Sequence, residues 1–294
     1  MTQKTNLFSL EYTTLVVETD REITHALKAS MGFSTTDYCI LQQLCASDKP
    51  VPLPLFQDFL LLKQNSVTTA VMRLEARGFV RKTLNESDMR TFFIEATDEG
   101  KSAAEQASHS IRERLTERTW KNHPGDERIN RGMEVHASRF FSGDNPVMPL
   151  DLDNEYFIVP AWVNGTRLIV QLWTKTLRDR FGLSLSEFRI LALMAQREGE
   201  LKPSDIAQEL CLSRSAVSGF LKSLRTKNLV CMRVALDDKR NMCFEISEQG
   251  RELEGEAYAL LYEMTGEHYS SIPEEDLVML DGWHHDMLQT LLNS

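Results

Sequence analysis

One short motif that could bind an anion occurs twice in the chain, 150 positions apart. It reads Asp88-Met-Arg90 in the first half and Asp238-Lys-Arg240 in the second. A guanidinium group oriented by a neighbouring carboxylate is a strong hydrogen-bond donor to phosphate and to other acceptors. The sequence contains no Gly-rich phosphate loop, no nucleophile elbow and no His-Glu-x-x-His motif. These residues therefore indicate binding, and we expect the protein not to be an enzyme.

Basic residues concentrate around both motifs, although the net charge of the chain is −10. Residues 63–90 hold six basic and three acidic residues, and residues 202–240 hold eight basic and four acidic residues. These stretches carry +3 and +4, so the remainder carries −17. Local fields decide where a polyanion docks. Two basic patches at equivalent places are consistent with DNA binding, although solvated surface stretches have the same composition.

The repeat extends well beyond the motifs and predicts two domains. Residues n and n+150 match without an insertion from Ser34 and Ser184 to Gly100 and Gly250. A constant offset means two copies of one folding unit, and 294 residues suit two domains of this size. The segment 142–151 has the composition of a turn. We therefore predict a first domain at 1–145, a linker at 146–153 and a second domain at 154–294.

The second copy has the residue pattern of a winged helix. A long helix is predicted from Tyr156 to Phe181, and a capping box at Ser184 opens the next helix. Pro203 and Ser213 are expected to start two short helices that form a helix-turn-helix. Alternating apolar residues then predict two strands, Leu229 to Val234 and Met242 to Ile246, followed by two further helices.

The first copy repeats this order. Helices are predicted from Leu7 to Met31 and after Ser34, and the candidate recognition helix runs from Lys63 to Arg77 with Gly78 as its C-cap. Three prolines at 50–54 predict an extended entry into a shortened helix. The fold class is therefore mainly α with small β wings (α+β), built from two winged helix-turn-helix domains.

The chain resembles the MarR family of winged-helix transcription regulators. The segments 66–80 and 213–230 are similar to that family's recognition helix and first wing strand. The Asp-x-Arg motifs, each followed by a strand and a Thr/Ser-x-x-Gly helix start, are similar to its wing. The resemblance covers nearly the whole chain, once per copy. It implies a homodimer-like arrangement, here a pseudo-twofold single-chain dimer that acts as a monomer.

The resemblance implies a sequence-specific regulator that binds double-stranded DNA. Recognition helices would enter the major groove, and the wing residues Arg90 and Arg240 would enter the minor groove, oriented by Asp88 and Asp238. A solvent-exposed ion pair at the wing tip is the alternative for these pairs. The other candidate DNA-binding residues are Lys63, Gln64, Asn65, Ser66, Thr68, Thr69 and Arg73 in the first copy, and Ser213, Arg214, Ser215, Ser218 and Lys222 in the second.

These side chains could read bases or serve structure. Arg214 could reach guanine, and Gln64 or Asn65 could pair with adenine. Hydroxyl groups at a helix start could instead cap the helix or bind phosphate. Because the two copies differ at these positions, we expect an asymmetric operator whose half-sites lie about one helical turn (~34 Å) apart.

Other features support weaker hypotheses. The resemblance implies a small-molecule or redox response, with no ligand named by the sequence. The five cysteines fit small buried residues, although Cys231 and Cys243 could face each other across the hairpin. His284, His285 and Asp286 leave zinc as a remote alternative; we expect no metal and no cofactor. The tryptophans Trp162, Trp173 and Trp283 are expected in the core rather than in a ligand cage.

Composition places the protein in the cytoplasm and away from membranes. No apolar stretch is long enough to span a bilayer, no secretory segment begins the chain, and the cysteines show no disulfide spacing. The alternative to a DNA-binding regulator is a winged-helix scaffold for protein–protein interaction without DNA binding. The acidic balance and the proline-rich first copy are compatible with that alternative.

Overall fold

The computed structural model describes residues 8–47, 49–60, 62–84, 92–119, 155–197, 199–234, 242–269 and 274–292. Elements are numbered in chain order over these residues. The first copy contains α1 (Leu10–Ser30), α2 (Thr35–Cys45), β1 (Val51–Pro52), α3 (Leu55–Leu60), α4 (Gln64–Ala76), β2 (Val80–Leu84), β3 (Phe92–Ala96) and α5 (Asp98–Arg118).

The second copy repeats the order without a counterpart of β1. It contains α6 (Glu155–Thr176), a π-helical turn (Leu177–Phe181), α7 (Leu185–Gln196), α8 (Pro203–Glu209), α9 (Arg214–Thr226), β4 (Val230–Val234), β5 (Met242–Ile246), α10 (Glu248–Tyr269) and α11 (Glu274–Leu292). The predicted mainly helical winged helix-turn-helix fold, present twice, is confirmed. The predicted capping box at Ser184, the helix start after Ser34 and the proline at the start of α8 are also confirmed, and Ser34 forms a capping box with Asp37.

The chain divides into two compact units that do not coincide with the two sequence copies. One unit combines Met1–Glu18 with Val170–Asn293, and the other consists mainly of Thr19–Ile169. Both boundaries fall inside long helices, so α1 and α6 each contribute residues to both units. The predicted linker at 146–153 lies outside the described residues, and the domain limits at 1–145 and 154–294 stay predictions.

Aromatic side chains form the core of the unit that contains α7 to α11. Phe8 packs edge-on against Trp173, with ring centroids 5.6 Å apart, and also lies against Phe188 and Tyr258. The Tyr258 hydroxyl donates a hydrogen bond to the Phe8 carbonyl at 2.7 Å. Trp173 is fully buried and donates its indole N–H to Thr265. The expected burial of Trp162, Trp173 and Trp283 is confirmed.

The other unit encloses a polar pair within its apolar core. Tyr38 of α2 is fully buried and shares a 2.7 Å hydrogen bond with Ser108 of α5. Gln42 donates to the same Ser108 hydroxyl, so α2 and α5 are joined by directed bonds as well as by packing. Because a buried hydroxyl without a partner would be costly, this pairing fixes the register between the two helices.

The two wings are antiparallel hairpins, and the proline-rich segment enlarges the first. Strands β2 and β3 pair from Val80 with Ala96 to Leu84 with Phe92. Val51 of β1 pairs with Ile94, which makes a three-stranded sheet of order β1-β3-β2. Pro52 suits this edge position because it has no N–H to donate. The second copy keeps a single bridge between Leu201 and Phe244 at the same offset.

A hydroxyl and a glycine join the wing to the following helix in both copies. The Thr97 hydroxyl donates to the Gly78 carbonyl at 2.7 Å and accepts from the Gly100 N–H at 3.0 Å. Ser247 does the same with Asn228 and Gly250. A Cβ atom at Gly250 would lie 2.1 Å from the Leu229 carbonyl oxygen, which explains the glycine in the Thr/Ser-x-x-Gly motif.

This close approach predicts that Gly250→Ala strongly destabilises the protein. The added methyl group must displace backbone, so we expect a loss of about 2–4 kcal/mol in the free energy of unfolding, measured by urea denaturation. Gly255→Ala in the same helix is the control: nothing lies within 4 Å of its Cβ position. That control should be neutral or stabilising by up to ~1 kcal/mol, and equal effects of the two substitutions would contradict the assignment.

Candidate nucleic-acid interface

Helices α4 and α9 occupy the position of recognition helices in the two winged helices. Each has 13 residues, and each buries one apolar side of matched positions. Ser213 caps α9 by accepting a hydrogen bond from the Ala216 N–H at 3.2 Å, as predicted. At the start of α4 the equivalent residue is Lys63, whose side chain forms no cap. The buried positions are Val67, Val71 and Leu74 in α4, and Val217, Leu221 and Leu224 in α9.

Both helices end through a residue in the left-handed conformation. The C-cap of α4 is Arg77, and Gly78 follows it with φ +76°. The predicted C-cap was therefore one residue late, although glycine supplies the expected turn. In the second copy the equivalent residue is Asn228 at φ 60°. Asparagine tolerates this conformation better than most residues, so the two helices lead into their wings in the same way.

A carboxylate at the start of the preceding helix anchors α4. Asp37 accepts from the backbone N–H and the hydroxyl of Ser34 within the capping box of α2. Arg73 of α4 donates to the second oxygen of the same carboxylate at 2.7 Å, where the Asp37 side chain is only 6% exposed. Arg77 adds a hydrogen bond to the Met31 carbonyl and stacks on Phe33. These bonds hold the recognition helix against α1 and α2.

The second copy makes the equivalent anchor with different residues. Glu187 accepts from the Ser184 N–H, from the Ser223 hydroxyl and from Lys227, the last two at 2.7 Å. Lys227 also donates to the Gly182 carbonyl. The cation has therefore moved from the position of Arg73 to that of Arg77, while the carboxylate stays in place. Burial favours a raised pKa for Glu187, but these hydrogen bonds outweigh it and hold the pKa below its usual range.

The structure exposes most of the predicted residues of the first copy. Lys63, Gln64, Asn65, Ser66 and Thr69 are exposed, and Thr68 is half-buried. The Thr69 hydroxyl donates a hydrogen bond to the Asn65 carbonyl at 2.7 Å, so its proton is already used within the helix. Arg73, also expected to contact DNA, is half-exposed but points its guanidinium at Asp37. Sequence patterning places Arg73 on the helix but does not reveal this partner 36 residues away.

All predicted residues of α9 and its cap lie on the surface. Ser213, Arg214, Ser215, Ser218 and Lys222 are exposed. Ser218 donates to the Arg214 carbonyl at 2.9 Å, and the hydroxyls of Ser213 and Ser215 lie 3.1 Å apart. Arg214 and Lys222 form no ion pair with any described residue. Their charges are therefore available to a ligand at this surface.

The wing tips lie outside the described residues. This applies to Asp88, Arg90, Asp238 and Arg240, whose roles stay predictions. The described strands carry ion pairs toward the base of each wing, Arg81 with Glu95 and Arg233 with Glu245. Both pairs are exposed and contribute little to stability on their own.

The pairing of β4 with β5 rules out the proposed facing cysteines. Cys231 lies opposite Glu245, and Cys243 lies opposite Arg233. The two cysteines are therefore diagonal neighbours, whose Cβ atoms stand roughly 7–8 Å apart, beyond the reach of a disulfide. The observed pairing differs from a facing arrangement of the cysteines by two residues, because the strand register, and not the hairpin spacing alone, determines which residues lie opposite each other. Cys39 is buried, and burial raises the pKa of the Cys45 thiol to about 11.

The histidines near the end of the chain are separated by their helix. His284 is buried against the Tyr12 ring at 4.7 Å, and burial lowers its pKa to about 4. His285 faces the other way, with its Nδ1 atom 3.5 Å from a Glu11 oxygen. Among the described residues, no group of three or more His, Cys, Asp or Glu side chains is arranged to hold a metal ion.

Patterning missed several residues that shape this surface. Met72 is 60% exposed on the outward side of α4, although methionine at helical spacing suggests a core position. Its equivalent in α9 is Lys222. Aligning the two copies at the constant offset would have revealed this contrast. Arg77 and Lys227 were missed as anchors because their partners, the Met31 carbonyl just after α1 and Glu187 in α7, lie 40 or more residues away in the sequence.

Two models of regulator families match the chain, one on each copy. Residues 181–240 match the MarR family, and residues 22–107 match the family described as transcriptional regulator SarA/Rot. Both are families of winged-helix transcription regulators and not of enzymes. Each copy of the domain therefore matches a family of winged-helix transcription regulators, over residues 22–107 in the first copy and 181–240 in the second.

Solved structures of several regulators are similar to part of this chain. BldR from Sulfolobus solfataricus is 23% identical, with 40% of this chain and 84% of that chain covered and a TM-score of 0.37. CouR from Rhodococcus jostii RHA1, bound to p-coumaroyl-CoA, is 22% identical over 49% and 96% of the chains, with a TM-score of 0.40. The MepR–DNA complex of S. aureus is 22% identical over 43% and 92%, with a TM-score of 0.39.

No curated protein matches the chain. In the part of the chain that the structure describes, no helix is both long enough and apolar enough to cross a membrane.

The anchor at Glu187 predicts a pH-dependent contribution to stability. Because its pKa is lowered on folding, the charged form stabilises the fold above about pH 4.3, the usual Glu pKa, and this contribution disappears as the pH falls through the lowered value. Glu187→Gln should therefore be less stable than the native protein at pH 7, with a gap that narrows toward pH 3. Urea denaturation at several pH values measures the gap.

The exposed Glu256 provides the control for this measurement. Glu256→Gln should leave stability nearly unchanged at pH 7. A gap for Glu187→Gln that stays constant down to pH 3 would show that the carboxylate charge does not stabilise the anchor.

Proposed function

We propose that the protein is a sequence-specific regulator of transcription that binds double-stranded DNA through both winged helices. The observation that carries this proposal is the surface of α9. Arg214 and Lys222 are exposed on it with no ion pair to a described residue, beside the hydroxyls of Ser215 and Ser218. A helix whose buried side is held by the protein and whose exposed side is polar is suited to binding in the major groove.

The anchors support this function because a reading helix must be held in a fixed orientation. Asp37 fastens α4 through Arg73, and Glu187 fastens α9 through Lys227. Both carboxylates are nearly buried, which leaves the opposite side of each helix for contact with DNA. The proposal also includes Arg90 and Arg240, which would enter the flanking minor grooves with Asp88 and Asp238 as orienting groups, as the family resemblance implies.

In this proposal one chain takes the place of a homodimer. The two recognition helices would then contact successive half-sites of one asymmetric operator, since their outward residues differ. A small-molecule effector that shifts the affinity for DNA is part of the proposal, as the family relationship implies.

A scaffold for protein–protein interaction is the second candidate, and the exposed Met72 favours it. A methionine that is 60% exposed suits an apolar partner as well as a thymine methyl group. Salt dependence separates the two candidates, because binding to DNA releases counterions and weakens as salt rises.

Fluorescence anisotropy tests the proposal with labelled duplexes from upstream of the protein's own gene. We expect binding that weakens by at least tenfold between about 50 and 200 mM salt. Arg240→Ala and Arg90→Ala should each weaken binding by on the order of tenfold without changing the thermal midpoint. Arg178→Ala removes an exposed arginine outside the recognition helices and the wings, and it should have little effect.

The contrary outcomes are distinct. Full affinity in both wing variants would remove the wings from the mechanism. Absence of salt-dependent binding to any duplex, together with capture of a protein partner that is lost on Met72→Lys, would favour the scaffold.

A further inference from the structure

The two recognition helices differ sharply in charge although their scaffolds match. Gln64–Ala76 contains one basic and one acidic residue, whereas Arg214–Thr226 contains three basic residues and no acidic residue. The two helices have the same length and share three buried positions, and Ala70 is buried only in α4. The difference in charge lies at exposed positions of both helices.

Internal pairing widens this difference. The one cation of α4 is Arg73, which donates to Asp37 at 2.7 Å. Its charge is largely compensated before any ligand arrives. In α9, Arg214 and Lys222 are exposed and form no ion pair with a described residue. Arg225 is also exposed and donates a hydrogen bond to the Met232 sulfur at 3.4 Å.

Equivalent positions show what replaces the charges in the first copy. Gln64 stands at the position of Arg214, and Met72 stands at the position of Lys222. Apart from Lys63 at its cap, the outward side of α4 therefore presents two amides, the methyl groups of two threonines and a thioether. The residues are Gln64, Asn65, Thr68, Thr69 and Met72.

Each surface suits a different stretch of DNA. Guanidinium and ammonium groups donate to guanine O6 and N7 and to phosphates, so α9 suits a G-containing site and binds with a large electrostatic component. Amides pair with adenine N6 and N7, and apolar groups contact the thymine methyl. The surface of α4 therefore suits an A·T-rich site and gains little from phosphate charge.

We propose that the two winged helices divide the work of recognition. The second supplies most of the salt-dependent affinity through Arg214, Lys222 and Arg225, at a G-containing half-site. The first reads an A·T-rich half-site through amide and apolar contacts that depend little on salt. This inference rests on the proposed function, DNA binding, and adds the chemistry of each half-site.

An exchange of residues between equivalent positions tests the electrostatic part. The slope of log K against log salt is measured for the full-length protein on a mixed-sequence duplex, for Lys222→Met and for Met72→Lys. Each phosphate contact contributes about 0.9 to the slope. Lys222→Met should flatten the slope by about that amount and shrink the loss of affinity between 50 and 200 mM salt by about threefold. Met72→Lys should steepen the slope by a similar amount.

Lys175→Met is the matched control, because it removes the same charge from an exposed position on α6. It should leave the slope within error of the native value. Since Met72, Lys175 and Lys222 are all exposed, we expect the three variants to fold normally. Their thermal midpoints should equal that of the native protein.

Selection from a random duplex library tests the reading part. The native protein should enrich sites with one G-containing and one A·T-rich half. The double variant Gln64→Ala/Asn65→Ala should lose the preference only in the A·T-rich half, and Arg214→Ala only in the other half.

The outcomes separate this inference from the function on which it rests. Two identical half-sites, or equal slopes for Lys222→Met and Lys175→Met, would overturn the division of work while leaving DNA binding intact. A native protein that shows no salt-dependent binding and enriches no sequence would overturn the proposed function itself.

Discussion

A single carboxylate in each copy sets the position of the recognition helix. Asp37 and Glu187 cap the helix that precedes the helix-turn-helix, and the same groups accept bonds from Arg73 and from Lys227. One buried carboxylate thus binds both a backbone N–H at the start of one helix and a cationic side chain of the recognition helix. Because loss of the cation would leave a nearly buried carboxylate without its charged partner, this junction adds a directed constraint to the packing of the helices.

Much of this fold follows from local signals in the sequence. The capping box at Ser184, Pro203, the cap at Ser213 and the alternating wing strands each depend on residues within one turn or one hairpin, and all are found as predicted. The constant offset then extends each local prediction to the other copy. Such features are predictable because their physical cause lies within a few residues of their effect.

The parts that could not be predicted depend on partners far apart in sequence. Phe8 belongs to the core around Trp173 and Tyr258, more than 160 positions away, so the compact units cut across the repeat. The sequence predicts Arg73 as a DNA contact from its place on α4. In the structure its guanidinium instead pairs with Asp37 on α2, a partner that local patterning does not reveal. The diagonal arrangement of Cys231 and Cys243 depends on a strand register that composition does not determine.

The duplication separates two requirements that a homodimer must meet with one sequence. Buried positions of the two helices stay apolar because both must pack on the same scaffold: Val67 matches Val217, and Leu74 matches Leu224. The outward positions are free of this packing constraint, and there Met72 in the first copy is equivalent to Lys222 in the second. The cation that pairs with the buried carboxylate also differs between the copies. It is Arg73 in the first copy, whereas Lys227 in the second is equivalent to position 77, about one helical turn further along, and the carboxylate keeps its position. A fused pair can therefore keep one geometry for its framework while each surface changes independently, which an identical pair of subunits cannot do.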